Sequence, residues 1–384
     1  MSNQIALYNS RLTYRIAVSL LFFLQGLTFS SWASRIPAIQ QKLHLSESGL
    51  GIMLLSIPVG LLISIPFSGW FVAKFGSRSV VIVSLICYGL TLISLGLAYT
   101  KLQLMCGLFF FGFFGNMSNI SVNTQAVGVE AIYGRSVMAS FHGMWSVAGF
   151  TGATIGTFMI GNLILPHRHF TIIFIVLILA LSAAFGYTLK EDFNKQVGQK
   201  IFVWPDKSLI NLGMIAFCSM ICEGAMFDWS GIYFKKVVGA QNAWIGAGYT
   251  AFMCTMATGR FVADWFTVRF GIRKIFQWSG ALIAAGLLIA VVFPGLITAI
   301  IGFLLVGFGV SSVVPLVYSA AGKSKQMSPG VAIAAVSTIG FLGFLIGPPI
   351  IGIVAGLSSL RVSFTIIAAM GLCVSVVASI KKFD

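Results

Sequence analysis

The chain has 384 residues, 58% of them hydrophobic and only 9% charged, with a mean hydropathy of +0.98. Soluble domains carry about 25% charged residues, so this composition excludes a water-facing globule and leaves lipid as the solvent. The formal net charge of +15 would suggest nucleic acid for a soluble protein. Here the basic residues sit in short gaps between apolar runs, which makes them topological signals and removes nucleic acid as a partner.

A helix crosses a bilayer core with about 20 apolar residues. The sequence predicts twelve such spans: 14–36, 48–71, 79–99, 102–128, 136–165, 169–189, 209–235, 243–268, 274–294, 296–321, 328–358 and 360–380. The runs are too long and continuous for a membrane β-barrel. The first is also too long for a cleavable signal peptide. The expectation is an all-α membrane protein.

Span 1 carries Trp32 and ends at Arg35, which reads either as half of an outer gate or as a cation reaching for headgroups. Span 4 carries Asn116, Asn119 and Asn123, spaced by three and then four and so on one face. Amides in lipid need partners, so that face looks inward to protein or water. An amide both donates and accepts, which suits sugar hydroxyls; the competing reading is glue between helices. Gln125 lies off that face and reads as structural. Span 5 carries His142 and Trp145, a proton relay with a stacking ring or two packing residues.

Span 7 holds two of the nine acids, Glu223 and Asp228, next to Trp229. A carboxylate within a span is costly unless paired, hydrated or protonated, which marks it as functional by default. Glu223 sits near mid-depth and reads as the group through which a proton comes and goes; the competing role is a hydrogen-bonded structural acid. Asp228 lies nearer the outside and reads as the partner of Arg35 in a gate, or as part of a static pair. Arg260, near the end of span 8, can pair with Asp264 or with a neighbouring helix end and reads as a cytoplasmic lock element, not a solute ligand. Tyr318, after Pro315 in span 10, offers a hydroxyl to a solute.

The longest polar stretch, 190–208, joins spans 6 and 7 and reads as a linker between halves 1–189 and 209–384. With the N-terminus inside, sixteen Lys and Arg fall on the cytoplasmic side, seven outside, and Arg260 stays within a helix. This bias puts both termini in the cytoplasm.

The halves repeat. Glycines 149, 152, 156 and 161 recur at 340, 343, 347 and 352, all 191 residues on. Gly107 and Gly112 recur as Gly302 and Gly307, each 195 on. "QGLTFSSW" from Gln25 answers "EGAMFDW" from Glu223, and "GWFVAKFGSRS" from Gly69 answers "DWFTVRFGIRK" from Asp264. Two halves of the same orientation are related by a pseudo-two-fold along the membrane normal, and in such folds solutes bind near the midplane.

The paired loop phrases resemble the signature of the major facilitator superfamily, a Gly, an Asp, then Gly with Arg or Lys. Carried onto this chain, the resemblance implies that Gly76, Arg78, Gly271, Arg273, Arg260 and Asp264 belong to the cytoplasmic lock. The first copy departs from it, with Ala73 where the family has its acid. The stretches 30–51, 123–153 and 223–240 resemble the YbjJ-type inner-membrane branch, neighbours of the sugar and fucose permeases. The resemblance implies a secondary transporter, and the polar residues read above point to a small polar, sugar-like solute. It would be proton-coupled by alternating access, with Glu223 and His142 on the proton path and Asn116, Asn119, Asn123, Trp32, Trp145, Trp229 and Tyr318 on the solute. The alternative is proton-driven efflux of amphipathic compounds. A monomer in the bacterial inner membrane is expected, with lipid, protons and the solute as partners. No enzyme is expected, since no nucleophile–base pair follows from spacing. No cofactor is expected either: a phosphate loop is missing, and the six cysteines and four histidines lack metal-ligand spacing.

Overall fold

A computed structural model describes residues 2–134, 137–192, 207–323 and 329–380. These are helical almost throughout, with no strand among the described residues. Most of the 190–208 linker, together with Arg135 and Lys325, lies outside them. The chain divides into two compact units, Met1–Leu43 with Ser56–Val197, and His44–Leu55 with Gly198–Asp384.

The first unit contains α1 (Ser2–Lys42), α3 (Ser56–Phe75), α4 (Ser77–Leu97), α5 (Lys101–Tyr133), α6 (Met138–Gly161) and α7 (Pro166–Phe185). The second contains α2 (Glu47–Leu54), α8 (Lys207–Lys236), α9 (Ala247–Phe270), α10 (Ile272–Val292), α11 (Leu296–Ser311), α12 (Val313–Ala321), α13 (Pro329–Leu357) and α14 (Leu360–Ile380). Ten segments among the described residues are long and apolar enough to cross a membrane, and α6 and α9 complete the twelve expected spans.

Two predicted spans are broken helices. The 48–71 span divides into α2 and α3, and the 296–321 span into α11 and α12. Both breaks have one cause. Proline lacks an N–H and its ring presses on the carbonyl four residues earlier. Pro58 presses on Leu54, the last residue of α2, and Pro315 on Ser311, the last residue of α11. By this break, residues 44–55 pack with the second unit, where α2 lies against α13. A Cβ on Gly51 would stand 3.0 Å from Gly352 Cα, and Ser48 Oγ donates to the Gly352 carbonyl at 3.2 Å.

The glycine repeat is a packing repeat. Lipid gives little hydrophobic drive between helices, so small residues let backbones approach. In the first unit α6 lies on α1, and Ser30 Oγ donates to the Gly149 carbonyl at 2.6 Å. In the second, α13 lies on α8, where a Cβ on Gly343 would stand 2.4 Å from the Phe217 carbonyl oxygen. A Cβ on Gly112 of α5 would meet the Ile57 carbonyl oxygen of α3 at 2.0 Å, and one on Gly307 of α11 the Phe252 carbonyl oxygen of α9 at 2.2 Å.

The duplicated phrase folds alike in each unit. Gly76 has φ 78° and ψ 150°; Gly271 has φ 79° and ψ 152°. Only glycine adopts this region freely. Both donate back into the preceding helix at 2.9 Å, to the Val72 and Thr267 carbonyls. Lys74 lies 4.7 Å over Trp70 and Arg269 lies 5.7 Å over Trp265. Arg78 donates to the Phe185 carbonyl at the end of α7, at 2.7 Å. Arg273 donates to the Ala378 carbonyl at 3.1 Å and to the Ser379 carbonyl, at the end of α14. Exposed carbonyls at a helix C-terminus attract a cation, so each phrase ends by pinning the last helix of its own unit.

Candidate functional site

The strongest concentration of charge within the spans is in the second unit. Glu223, on α8, is 9% exposed, and Arg260, on α9, brings Nη2 to 3.7 Å from its Oε1. Glu223 follows the helix-packing surface of α8: a Cβ on Gly224, the next residue, would touch the Phe344 ring of α13 at 3.5 Å. Tyr318, on the short α12 behind the proline break, is half-buried. An acid and a guanidinium from α8 and α9 thus form a buried charge pair in an apolar unit. Chemically it can hold or release a proton at the carboxyl and bind an anion at the guanidinium.

Arg260 was expected at the inner lock beside Asp264. The structure gives it Glu223 as a partner, which the sequence reading missed. The available signal was that two opposite charges stand in otherwise apolar helices, where charges pair. The Asp264 side chain lies outside the described set. Further along α8, Asp228 is 7% exposed and Trp229 is fully buried.

In the first unit, Arg35 is 2% exposed. Its Nη2 donates to the Ile164 carbonyl, while Nε and Nη1 are buried without a partner. Trp32 is fully buried and packs 6.1 Å from the Phe111 ring. Trp32 and Trp229 therefore present no free ring face to a solute in this structure, contrary to the stacking role expected of them. His142 is exposed with its ring edge-on to Phe22 at 5.2 Å. Trp145 is half-buried and tilted against Phe29 at 6.1 Å.

The three asparagines divide in role. Asn116 donates to Ser64 Oγ at 2.7 Å and to the Leu61 carbonyl at 3.3 Å, joining α5 to α3 as interhelix glue. Asn123 donates to the Asn119 carbonyl and to its Oδ1, both at 2.8 Å. That leaves the Asn123 Oδ1 and the Asn119 amide nitrogen with no described bond, so this pair has hydrogen-bonding capacity left for a solute.

Gln125 is structural, as expected. Its Nε2 donates to Ser77 Oγ at 2.7 Å and to the Leu189 carbonyl at 3.0 Å. Its Oε1 accepts from the Leu189 N–H at 2.8 Å. The network includes an acid that sequence reading left in the linker. Asp192 accepts from the Ser77 N–H at 2.8 Å and from Ser77 Oγ, capping α4 behind Gly76. A carboxylate suits a helix N-terminus. The first phrase, with Ala73 in place of the family acid, has a carboxylate at its helix start supplied from beyond α7.

A family model described as Major Facilitator Superfamily matches residues 18–327 and 212–383. An uncharacterised MFS-type transporter of Yersinia pestis is 33% identical over 366 residues, spanning 95% of this chain and 94% of that one. Among solved structures, that of the nucleoside transporter NupG is similar with a TM-score of 0.74 at 12% identity, covering 96% of this chain and 98% of its own. That of the E. coli fucose:proton symporter FucP is similar with a TM-score of 0.61 at 17% identity, covering 96% and 99%. At these identities the two structures support the fold alone.

Proposed function

The chain belongs to the major facilitator superfamily and is a multi-pass membrane transporter of that class; from this premise we propose that it moves a small polar, sugar-like solute by proton-coupled alternating access. The supporting observation is the Glu223–Arg260 pair, 3.7 Å apart and largely withdrawn from solvent. A carboxyl in that position can take up a proton when the guanidinium moves away and release it when the guanidinium draws near again.

Glu223 carries the proton, and His142 relays it from the exposed face of α6. Asn119, Asn123, Trp145 and Tyr318 meet the solute. Arg35 and Asp228, buried charges of opposite sign, keep the gating role read from the sequence, and Arg78, Arg273 and Asp264 the cytoplasmic lock. The membrane is the bacterial inner one, with both termini in the cytoplasm. The 190–208 segment links halves 1–189 and 209–384.

Vesicles loaded with a pH-sensitive dye test this. The purified chain is reconstituted, and hexoses such as fucose, nucleosides such as uridine, and sugar acids are added outside in turn. Symport acidifies the lumen on addition of the transported solute, and Glu223→Gln abolishes the acidification while keeping solute exchange. Uptake indifferent to an imposed proton gradient rejects the coupling. Transport that survives Asn119→Ala and Asn123→Ala rejects the assigned solute face.

A further inference from the structure

We propose that the second unit holds a phospholipid with an anionic headgroup, its acyl chain lying in a groove between α9 and α10 and its phosphate beside Arg269 and Lys274. The proposal is independent of which solute the transporter carries.

Helices α9 and α10 both lie against α11, and a groove runs between them. Val262 and Phe266 form one wall, Trp278 and Leu282 the other, and Phe308 and Ser311 the floor. Each wall pair is four residues apart and so shares one face of its helix. The lining from Gly259 to Phe266 extends about 10 Å along α9 at about 1.5 Å per residue. That is roughly two-thirds of one leaflet's share of a hydrocarbon core about 30 Å thick. The hydroxyls in the floor are engaged within the protein. Ser311 Oγ donates to the Phe308 carbonyl at 2.7 Å, and the Oγ atoms of Ser279 and Ser312 face each other at 3.5 Å. The surface that remains suits an apolar occupant.

The repeat explains why the groove is in this unit. The offset of 195 residues carries Gly259, Val262 and Ser311 back to Ser64, Phe67 and Asn116. There Asn116 bonds Ser64 at 2.7 Å, and Phe67 packs on the Phe113 ring at 5.9 Å. Larger side chains take up the space that glycine, valine and serine leave in the second copy.

The groove leads to cations. Phe266 stacks on Phe270 at 6.1 Å, and Phe270 meets Trp278 edge-on at 4.9 Å. At the end of α9, Arg269 lies 5.7 Å over Trp265 and 5.8 Å over Phe270. Lys274 is exposed, one turn before Trp278 on α10. Arg273 is engaged with the end of α14, whereas neither Arg269 nor Lys274 joins an ion pair among the described residues. Trp265 and Trp278 are 59% and 44% exposed, and such indoles sit at headgroup level. An apolar groove leading inward from two cations and two indoles repeats the order of a phospholipid, phosphate at the surface and chain within. The cations select an anionic one.

Quenching of tryptophan by lipids with brominated chains tests this, with Trp265 and Trp278 as reporters beside the groove. The full chain, stripped of lipid in detergent, is titrated with brominated phosphatidylglycerol and with brominated phosphatidylcholine of the same chains. The expected result is saturable quenching by phosphatidylglycerol at a concentration roughly tenfold lower than phosphatidylcholine requires. Val262→Phe, which installs the first unit's residue, removes the saturable component; should that variant fail to fold, Val262→Leu weakens it. Arg269→Gln with Lys274→Gln brings phosphatidylglycerol to the level of phosphatidylcholine. Glycerol phosphate in excess leaves the quenching in place. An equal response of the unmodified chain to the two lipids overturns the proposal. A preference that survives filling at Val262 refutes the groove, and displacement by glycerol phosphate refutes the acyl chain as the anchor.

Discussion

Substituting Gly271 with Ala isolates the backbone contribution to the repeated loop. Gly271 has φ 79° and ψ 152°, a region that is closed to residues with a Cβ at a cost of about 1–3 kcal/mol. Nothing lies within 4 Å of the Cβ that Ala would add, so no clash contributes and the whole penalty is conformational. Gly69, in the matching phrase of the first unit, is the control. It is helical and also has nothing within 4 Å of a Cβ, so Ala there should stabilise by up to about 1 kcal/mol. The two variants should thus differ by roughly 1–4 kcal/mol in opposite directions. Melting in detergent, read by a thiol-reactive dye on the buried Cys218 and Cys222, measures this at on the order of 2 °C per kcal/mol. Gly76→Ala should behave like Gly271→Ala, since its only close neighbour, Asp192 Oδ2, is 3.9 Å away in ordinary contact. Equal melting of Gly69→Ala and Gly271→Ala would refute the claim that the turn requires glycine.

Four other outcomes can be checked. Gly112→Ala should sharply reduce the yield of monodisperse protein on size exclusion, because its Cβ would stand 2.0 Å from a backbone oxygen of α3 that cannot rotate away. Asn116→Ala should lower melting stability by about 0.6–1.7 kcal/mol, the range for interhelical hydrogen bonds in membranes, and leave uptake intact. Lys236→Ala should cost less than about 1 kcal/mol, because the ion pair with Glu47 at 2.5 Å has side chains 41% and 24% exposed, and the loss should shrink further at high salt. The double change Glu223→Gln with Arg260→Ile should melt near or above the unmodified chain, as neutral replacements of buried pairs commonly do, while proton-dependent uptake disappears.

Hydropathy marked the spans, since a bilayer requires long apolar helices, and the glycine spacing marked which ones recur. The breaks at Leu55 and Ser312 were not foreseen, although Pro58 and Pro315 carried the signal: apolar length alone does not reveal where a helix interrupts itself. The asparagine face was correctly placed on one side of α5. Its division into glue and open amides was not legible, because a shared face does not say which neighbour covers which part. Asp192 escaped notice because its role depends on the chain turning back past α7 to the start of α4. The Glu223–Arg260 contact joins two helices whose relative rotation no periodicity fixes, so the sequence could name both charges without pairing them.

The repeat separates scaffold from chemistry. Both copies keep the glycine turn, the aromatic ring beneath a cation, and the arginine that pins the last helix of the unit. They differ where charge lies. The position of Glu223 is held in the first copy by Gln25, whose amide donates to the Gly115 carbonyl at 3.1 Å. A neutral amide there ties α1 to α5, a fixed hydrogen bond with no proton to exchange. The offset that carries Gly271 back to Gly76 carries Arg260 back to Ile65. The first copy therefore retains the packing and omits both members of the ion pair. One sequence pattern builds two similar bundles, and two substitutions within it, an amide to an acid and an aliphatic to a guanidinium, confine this buried ion pair to the second.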